Sequence, residues 1–270
     1  AFFGGAAYVC GHALKVWGLP TELGILLGAA VGGLLGLVFG SLAIRRQGIY
    51  FAMITLALAQ IVYFVALKSP FTGGEDGLQG IPRGKLFGVI DLEDSLNMYY
   101  FVLAIFLAGF WLIDRIVDSP FGQVLQAIRE NDFRAEALGY RVLVYRSIAN
   151  CLSAGMATLA GVLMAIWLRY TGPDTTLSFA IMIDILLMVV IGGMGTLYGA
   201  VLGATIFILA QNYLQVLMGE LSDALAAAGI PLLPALFHAD RWLLWLGILF
   251  VLSVYFFPVG IVGKLRQLRS

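Results

Sequence analysis

The sequence predicts an all-α, polytopic helix bundle embedded in a membrane, and three observations lead to this fold class. Hydrophobic residues make up 61% of the 270 residues, and charged residues only 12%, which is about half the charged share of an ordinary soluble domain. Apolar runs that reach or approach the length of a membrane crossing recur along the chain. Glycine is abundant, at 33 residues, and small residues let membrane helices approach closely. We therefore expect a single transmembrane domain over residues 1–270.

About eight membrane segments are predicted, and two of them are unusual. The first is already apolar where the sequence begins, without a methionine, so we expect further chain before Ala1. The sixth is short, contains Asp184 and ends in GGMG, so it is either a crossing or a broken, re-entrant element. The segments are 1–17, 23–44, 49–67, 98–113, 147–168, 177–191, 196–218 and 242–263.

The distribution of Lys and Arg predicts which loops are cytoplasmic. Alternating crossings place residues 45–46, the loop 114–146 and the C-terminal tail on one side, and these hold ten of the sixteen basic residues. Because Lys and Arg concentrate on the cytoplasmic side of membrane proteins, we expect this side to be cytoplasmic and the loop 68–97 to be external. If 177–191 did not cross, the basic tail would be external, so the charge distribution favours a crossing.

A stripe of glycines marks one face of the second segment. The residues recur every four positions, which aligns them along a helix, and such small-residue faces let two backbones come close in a membrane. We expect this face to pack against other helices. The stripe consists of Gly24, Gly28, Gly32, Gly36 and Gly40.

The predicted cytoplasmic loop begins with a short amphipathic helix. Ser119 and Pro120 are the residue types of an N-cap and of the first helical position. Apolar residues then recur at i, i+3, i+4 and i+7, which is typical of a helix with one apolar face. These residues are Phe121, Val124, Leu125 and Ile128.

The stretch RENDFRAEALGYR, residues 129–141, predicts a second and shorter helix. Asn131 or Asp132 can cap its start, and Gly139 can end it in a left-handed conformation, which leaves a helix over about 132–138. A helix this short is not stable in isolation. We therefore expect it to pack on the membrane domain on one side and on a partner on the other. The alternative is a solvated loop whose charges only fix the topology.

Four stretches together resemble one family of membrane proteins. In their order and spacing they are similar to the LivM-type permease subunit of branched-chain amino-acid ABC transporters, in the hydrophobic amino acid uptake family. The resemblance covers nearly the whole chain and implies a fold like that of the type II importers. The stretches are SPFGQVLQAIRENDFRAEALGYRV (119–142), RRQGIYFAMITLALAQ (45–60), TGGEDGL (72–78) and VVIGGMGTLYGAVLGA (189–204).

The resemblance implies the partners, the cargo and one site. It implies a homologous second permease, two cytoplasmic ATPase subunits and a periplasmic binding protein in the bacterial inner membrane. The implied cargo is leucine, isoleucine or valine, although related permeases carry urea or short amides. The chain has no P-loop GxxxxGK[ST], so the partners would bind ATP and Mg and this chain would bind no cofactor. The residues implied to couple to the ATPase are Arg129, Glu130, Asn131, Asp132, Arg134, Glu136 and Gly139.

The external loop holds the second candidate site. FTGGEDGLQGIPRG, residues 71–84, mixes polar and charged residues with five glycines. It either contacts a periplasmic binding protein, gates the mouth of the pore, or is a glycine-rich turn fixed by local hydrogen bonds. We expect Glu75, Asp76 and Arg83 to make the main contacts. The full set of candidates is Thr72, Gly73, Gly74, Glu75, Asp76, Gly77 and Arg83.

Polar residues inside the predicted segments are candidates for a transport pathway. Gln60, Asp184 and Asn212 are selected because a polar group at membrane depth usually faces protein or water; the alternative is a hydrogen-bonded packing residue. An ion-coupled secondary transporter is a second hypothesis, in which Asp184 and the broken element 177–195 would form the coupling site.

An intramembrane enzyme is a third hypothesis, and the sequence contains few of the residues that it would require. It would need a nucleophile with a base, or a metal site, but His12 and His238 are the only histidines and no GxSxG or HxxxD motif occurs. Cys10 and Cys151 lie in apolar runs and are expected to be packing residues. We expect no enzyme activity, no metal site and, with zero net charge, no nucleic-acid partner.

Overall fold

The computed structural model describes residues 1–44, 48–86, 88, 90–227, 241–256 and 260. The chain divides into two compact units, Ala1–Ser178 and Phe179–Ser270. The basic residues Arg45 and Arg46 and the C-terminal tail with Lys264, Arg266 and Arg269 lie outside the described residues. The helices of the first unit are α1 (Phe2–Lys15), α2 (Thr21–Ala43), α3 (Ile49–Lys68), α4 (Ser95–Val117), α5 (Pro120–Glu130), α6 (Asp132–Ala137), α7 (Val142–Leu168) and α8 (Pro173–Thr176). Those of the second are α9 (Phe179–Gly192), α10 (Leu197–Ala227) and α11 (Trp242–Phe256).

The described residues contain six helices that are long and apolar enough to cross a membrane. Each of the eight predicted segments contains a helix, but α1 has only 14 residues and the described part of α11 has 15. The multi-pass helical bundle is confirmed at this level. The six candidate spans are Thr21–Ala43, Ile49–Lys68, Ser95–Val117, Val142–Leu168, Pro173–Gly192 and Leu197–Ser222.

The glycine stripe of α2 packs against other helices, as the sequence predicts, and the structure shows that these helices are α1 and α7. All five glycines of the stripe are buried. A Cβ at Gly28 would lie 2.8 Å from the carbonyl oxygen of Ala6, and one at Gly32 would overlap the Thr158 methyl group. The three helices therefore meet at a separation that only glycine allows on this face.

Short strands add a feature that the all-α prediction did not include. The strands pair residues of the predicted external loop 68–97, called the outer loop below, with one another and with residues that follow α7. β1 (Leu78–Gln79) pairs antiparallel with β4 (Tyr170–Thr171). β2 (Lys85–Leu86) pairs antiparallel with β3 (Ile90–Asp91).

The second unit is organised around the turn between α9 and α10. Ile191, Phe207 and Leu246 form its buried cluster and come from α9, α10 and α11 respectively. A Cβ at Gly203 would overlap the carbonyl oxygen of Met188, and one at Gly192 would overlap the backbone of α10. The glycine-rich run at 192–203 therefore lets these two helices pack backbone to backbone.

Candidate functional site

The predicted short helix is present and is capped at both ends. It spans Asp132–Ala137, and Asn131, rather than Asp132, supplies the cap: its side-chain oxygen accepts a hydrogen bond from the backbone N–H of Arg134 at 3.0 Å. Gly139 has a φ of +90°, and its N–H donates to the carbonyl oxygen of Glu136 at 2.9 Å. Both caps depend on local sequence, which is why the residue pattern predicts them.

The preceding helix α5 carries the predicted apolar face. Ser119 caps it by accepting a hydrogen bond from the N–H of Gly122 at 3.4 Å, with Pro120 as its first residue. Ile128 is buried against Ala135 of α6 and Val142 of α7. This small cluster joins α5, α6 and the start of α7 into one structure, so α6 packs on one side against α7, which is a candidate membrane span.

Asp132 faces the protein rather than the solvent. Its two carboxylate oxygens accept hydrogen bonds from Nη2 of Arg146 in α7, at 2.6 and 2.7 Å. The two side chains are about one quarter and one third exposed. Asp132 was among the residues predicted to couple to the ATPase, whereas Arg146 was not among the predicted site residues. The pairing spans two helices that diverge from a turn, so no local pattern indicates it.

The remaining side chains of this region point away from the bundle. Arg129, Glu130, Arg134 and Glu136 are exposed. Phe133 is the most exposed large hydrophobic residue of this region, with 85% of its surface accessible, and it was not among the predicted site residues. The available signal was a bulky aromatic residue among charges in a helix whose inward face is occupied by Ala135. Leu138 of the same region is also exposed, at 71%, and aromatic residues are enriched in interfaces between proteins, so Phe133 is a candidate contact.

A surface cavity of about 650 Å³ lies beside α6. Both charged and apolar side chains line it, so it can accept a mixed polar and apolar surface. Its lining residues are Leu125, Ile128, Arg129, Glu130, Asn131, Asp132, Phe133 and Arg146.

The outer loop is ordered by its own contacts. Thr72 is buried, and its hydroxyl donates to the carbonyl oxygens of Ser69 and Ala66. Gly73, Gly74 and Gly77 have positive φ angles, and Gly77 lies against the backbone of Thr171 and Gly172. These contacts match the alternative of a glycine-rich turn fixed by local hydrogen bonds, and that alternative does not exclude a partner.

Charged residues of the outer loop differ in what they face. Arg83 donates from Nε to the carbonyl oxygen of Ile166 at 3.2 Å and from Nη2 to that of Trp167 at 2.7 Å, so its guanidinium closes the C-terminal end of α7. Glu75 and Asp76 form an exposed turn of 3₁₀ helix. They are the members of the predicted outer set that present negative charge to a partner.

The pathway candidates lie in different units. Gln60 is half-buried in α3 of the first unit. Asp184 is half-buried in α9 of the second unit, and Asn212 is exposed in α10, where its side-chain amide donates to the carbonyl oxygen of Ile208 at 2.8 Å. No group of three or more His, Cys, Asp or Glu residues suited to a metal occurs among the described residues.

Known proteins share this sequence pattern over most of its length. A family model described as "Branched-chain amino acid transport system / permease component" matches residues 1–236. The high-affinity branched-chain amino acid transport system permease protein LivM of Salmonella typhimurium is 26% identical, over 79% of this chain and 56% of that protein. LivM of Escherichia coli is 28% identical, over 76% of this chain and 52% of that protein.

A relative with a different named cargo is also found. The autoinducer 2 import system permease protein LsrC of Klebsiella pneumoniae is 31% identical, over 67% of this chain and 52% of that protein. The chain therefore spans about half the length of these three relatives. No solved structure matches this chain.

Proposed function

We propose that this chain, which belongs to the permease family of branched-chain amino acid transport systems, is a permease subunit of an ATP-driven importer for leucine, isoleucine and valine. The family match over residues 1–236 carries the proposal. The six apolar helices fit a multi-pass membrane protein, which we place in the bacterial inner membrane with the fold of a type II importer. About eight segments, including α1 and α11, would cross.

In this proposal α6 is the coupling helix that docks on a cytoplasmic ATPase. Arg129, Glu130, Arg134 and Glu136 are exposed there and can form charged contacts, while Phe133 supplies an apolar anchor. Interface energy concentrates in a few buried aromatic and charged residues, so Phe133 is the residue that we expect to contribute most. Asn131 and Gly139 act by holding the helix ends, and Asp132 acts through Arg146.

The partners follow from the same proposal. Two ATPase subunits bind ATP and Mg, a second permease completes the pathway, and this chain acts as a transport subunit rather than as an enzyme. A periplasmic binding protein delivers cargo to the outer loop, where Glu75 and Asp76 offer exposed negative charge. Gln60, Asp184 and Asn212 remain the candidates for the pathway itself.

The similarity to LsrC supports a second candidate cargo. That relative is named for autoinducer 2 import and is 31% identical to this chain, so an importer of the same design for another small polar molecule, including urea or a short amide, is the alternative. An ion-coupled carrier is the less favoured one, because a carrier has no need of the capped, exposed helix α6.

Uptake into vesicles tests the proposed function. The complex of this chain with its ATPases and second permease would be reconstituted, and uptake of labelled leucine, urea and autoinducer 2 from the loaded binding protein would be measured. We expect leucine uptake to require ATP and to continue when proton and sodium gradients are collapsed. Uptake that follows an ion gradient without ATP, or a preference for another cargo, would refute this assignment.

Side-specific labelling tests the predicted topology. With Cys10 and Cys151 replaced by serine, single cysteines at the exposed positions Gln123 in α5 and Gln79 in the outer loop should behave in opposite ways. A membrane-impermeant thiol reagent applied to intact cells should label the Gln79→Cys variant and spare the Gln123→Cys variant until the cells are lysed. Labelling of Gln123→Cys in sealed cells would reverse the topology.

Charge reversal tests the outer loop. In the Glu75→Lys/Asp76→Lys variant, two exposed carboxylates are replaced without disturbing the buried Thr72. Lost or inverted charge complementarity mainly slows association, so we expect the loaded binding protein to stimulate ATP hydrolysis less, and basal hydrolysis to persist. A Lys15→Glu/Lys68→Glu variant reverses two other exposed charges, in the opposite direction, and should be stimulated as the parent is, so that charge reversal as such is controlled. Equal stimulation in parent and variant would leave the loop with a structural role alone.

A further inference from the structure

The inner end of α7 is fastened to α6 by charge and by packing. One guanidinium nitrogen of Arg146, Nη2, donates to both carboxylate oxygens of Asp132 at 2.7 Å or less, which joins α6 to α7 at one point. Ala135 of α6 and Val142 of α7 share a buried cluster with Ile128. Charge-assisted hydrogen bonds are stronger than neutral ones, so the pair and the buried cluster together hold α6 against the first turns of α7.

The outer end of α7 is fastened to the outer loop by a different set of contacts. Arg83 donates to two carbonyl oxygens of the last turn of α7. The backbone N–H of Ile81 donates to the carbonyl oxygen of Arg169 at 3.0 Å, and β1 of the loop pairs with β4, which directly follows α7. Arg169 ends the helix in a left-handed conformation, with a φ of +55°, and pairs with Glu93 at 2.5 Å.

Between these two ends α7 is one uninterrupted helix. It has 27 residues, which corresponds to about 40 Å of length at 1.5 Å per residue, and it contains no proline. Its middle packs against α1 and α2 at glycine contacts, including Gly161 against the backbone of Phe3. The two fastened ends therefore belong to one continuous helix that lacks proline, a common cause of sharp kinks.

We propose that α7 carries movement between the coupling helix and the outer loop, with the Asp132–Arg146 pair as its inner fastening and Arg83 as its outer fastening. This rests on the proposed function. Asp132 and Arg146 are then positioning residues rather than contacts of the ATPase, and Arg83 is a positioning residue rather than a contact of the binding protein. The pair sets the position of α6. Because it is partly exposed, little of the stability of the fold depends on it.

Charge exchange tests the inner fastening. Asp132→Arg and Arg146→Asp each place like charges together, whereas the double variant restores an opposite pair. With the reconstituted complex, we expect each single variant to retain the parent amount of ATPase but to lose about tenfold in stimulation of ATP hydrolysis by loaded binding protein, which lies within the usual range of coupling between two sites. The double variant should recover most of that stimulation. Arg115→Asp, which makes the same substitution as Arg146→Asp at an exposed arginine of α4, should behave as the parent.

Removal of one charge tests the outer fastening. Arg83→Gln should leave the affinity of the binding protein for the complex unchanged but reduce its stimulation of ATP hydrolysis, while Lys85→Gln, at an exposed lysine of the same loop, should reduce neither. If Arg83→Gln weakens binding-protein affinity, Arg83 is a direct contact and the outer fastening is wrong.

The remaining outcomes separate this inference from the proposed function. Loss of ATPase capture in Asp132→Arg or Arg146→Asp, or failure of the double variant to recover stimulation, overturns the inference because the pair would then act in docking or folding. If a charge-reversal variant does not assemble with the second permease, the milder Asp132→Asn variant, which keeps the shape of the side chain, is measured in its place. It should likewise keep the parent amount of ATPase and lose stimulation of ATP hydrolysis. Failure of the parent chain to bind any ATPase refutes the proposed function instead, before a variant is tested.

Discussion

The Phe133→Ala/Arg134→Ala/Glu136→Ala variant is expected to reach the membrane at the parent level and to lose nearly all captured ATPase and all cargo uptake. The three side chains are exposed and make no contribution to the buried cluster of Ile128, Ala135 and Val142, so the membrane domain should fold without them. Truncation of a central anchor at a protein interface costs about 2 kcal/mol or more, and the loss of neighbouring charges adds to it. Co-purification of the ATPase, measured beside uptake, checks the result.

Two further variants make this test specific. Gln123→Ala/Gln126→Ala removes two exposed polar side chains from the neighbouring helix α5 and should leave ATPase capture close to the parent level. Gly139→Val, unlike this control, should change ATPase capture. No atom would touch the new Cβ, but φ is +90°, and a left-handed conformation costs a non-glycine residue about 1–2 kcal/mol. It should therefore weaken capture by unwinding the end of α6. Normal transport with full ATPase occupancy in both the triple variant and Gly139→Val would mean that α6 is a solvated loop.

The sequence predicted those parts of the site that depend on near neighbours. The caps at Asn131 and Gly139, the start of α5 at Ser119 and the face that buries Ile128 each follow from residues within one or two turns. The glycine stripe of α2 was predictable for the same reason, because a four-residue spacing defines a helix face before its partner is known. What it packs against, α1 and α7, was not predictable from the stripe itself.

Long-range pairings were the parts that the sequence did not predict. Asp132 lies among six charged residues in the stretch 129–141, and nothing in that stretch distinguishes the carboxylate that turns inward to Arg146. Arg83 lies 83 residues before the carbonyl group that its Nε contacts, and in sequence it looks like any exposed basic residue of a loop. In both cases the fold itself uses a charge that the sequence assigned to a partner, because charge in a loop predicts exposure but not what the charge faces.

The Gly161→Leu variant is expected to prevent assembly of the first unit, which would be the largest effect on stability of any single change considered. A Cβ at Gly161 would overlap the carbonyl oxygen of Phe3, and it would lie 2.7 Å from the carbonyl carbon. These are backbone atoms of α1, so no side-chain rotation relieves the overlap, and α1 and α7 must separate. Overpacking a close contact costs about 1–3 kcal/mol and occasionally more, and here it also disrupts the packing of α2 on the same pair of helices.

Gly155 provides a control for this change on the same helix. It lies 6 residues earlier in α7, and a Cβ there would meet nothing within 4 Å. Gly155→Leu should therefore fold as the parent does, with a small gain in helix propensity, because glycine is about 1 kcal/mol less favourable than a good helix former. Thermal unfolding and size-exclusion profiles of the purified chain in detergent would compare the two variants. Equal yield and equal melting temperature for both would show that α1 does not approach α7 as closely as Phe3 and Gly161 indicate.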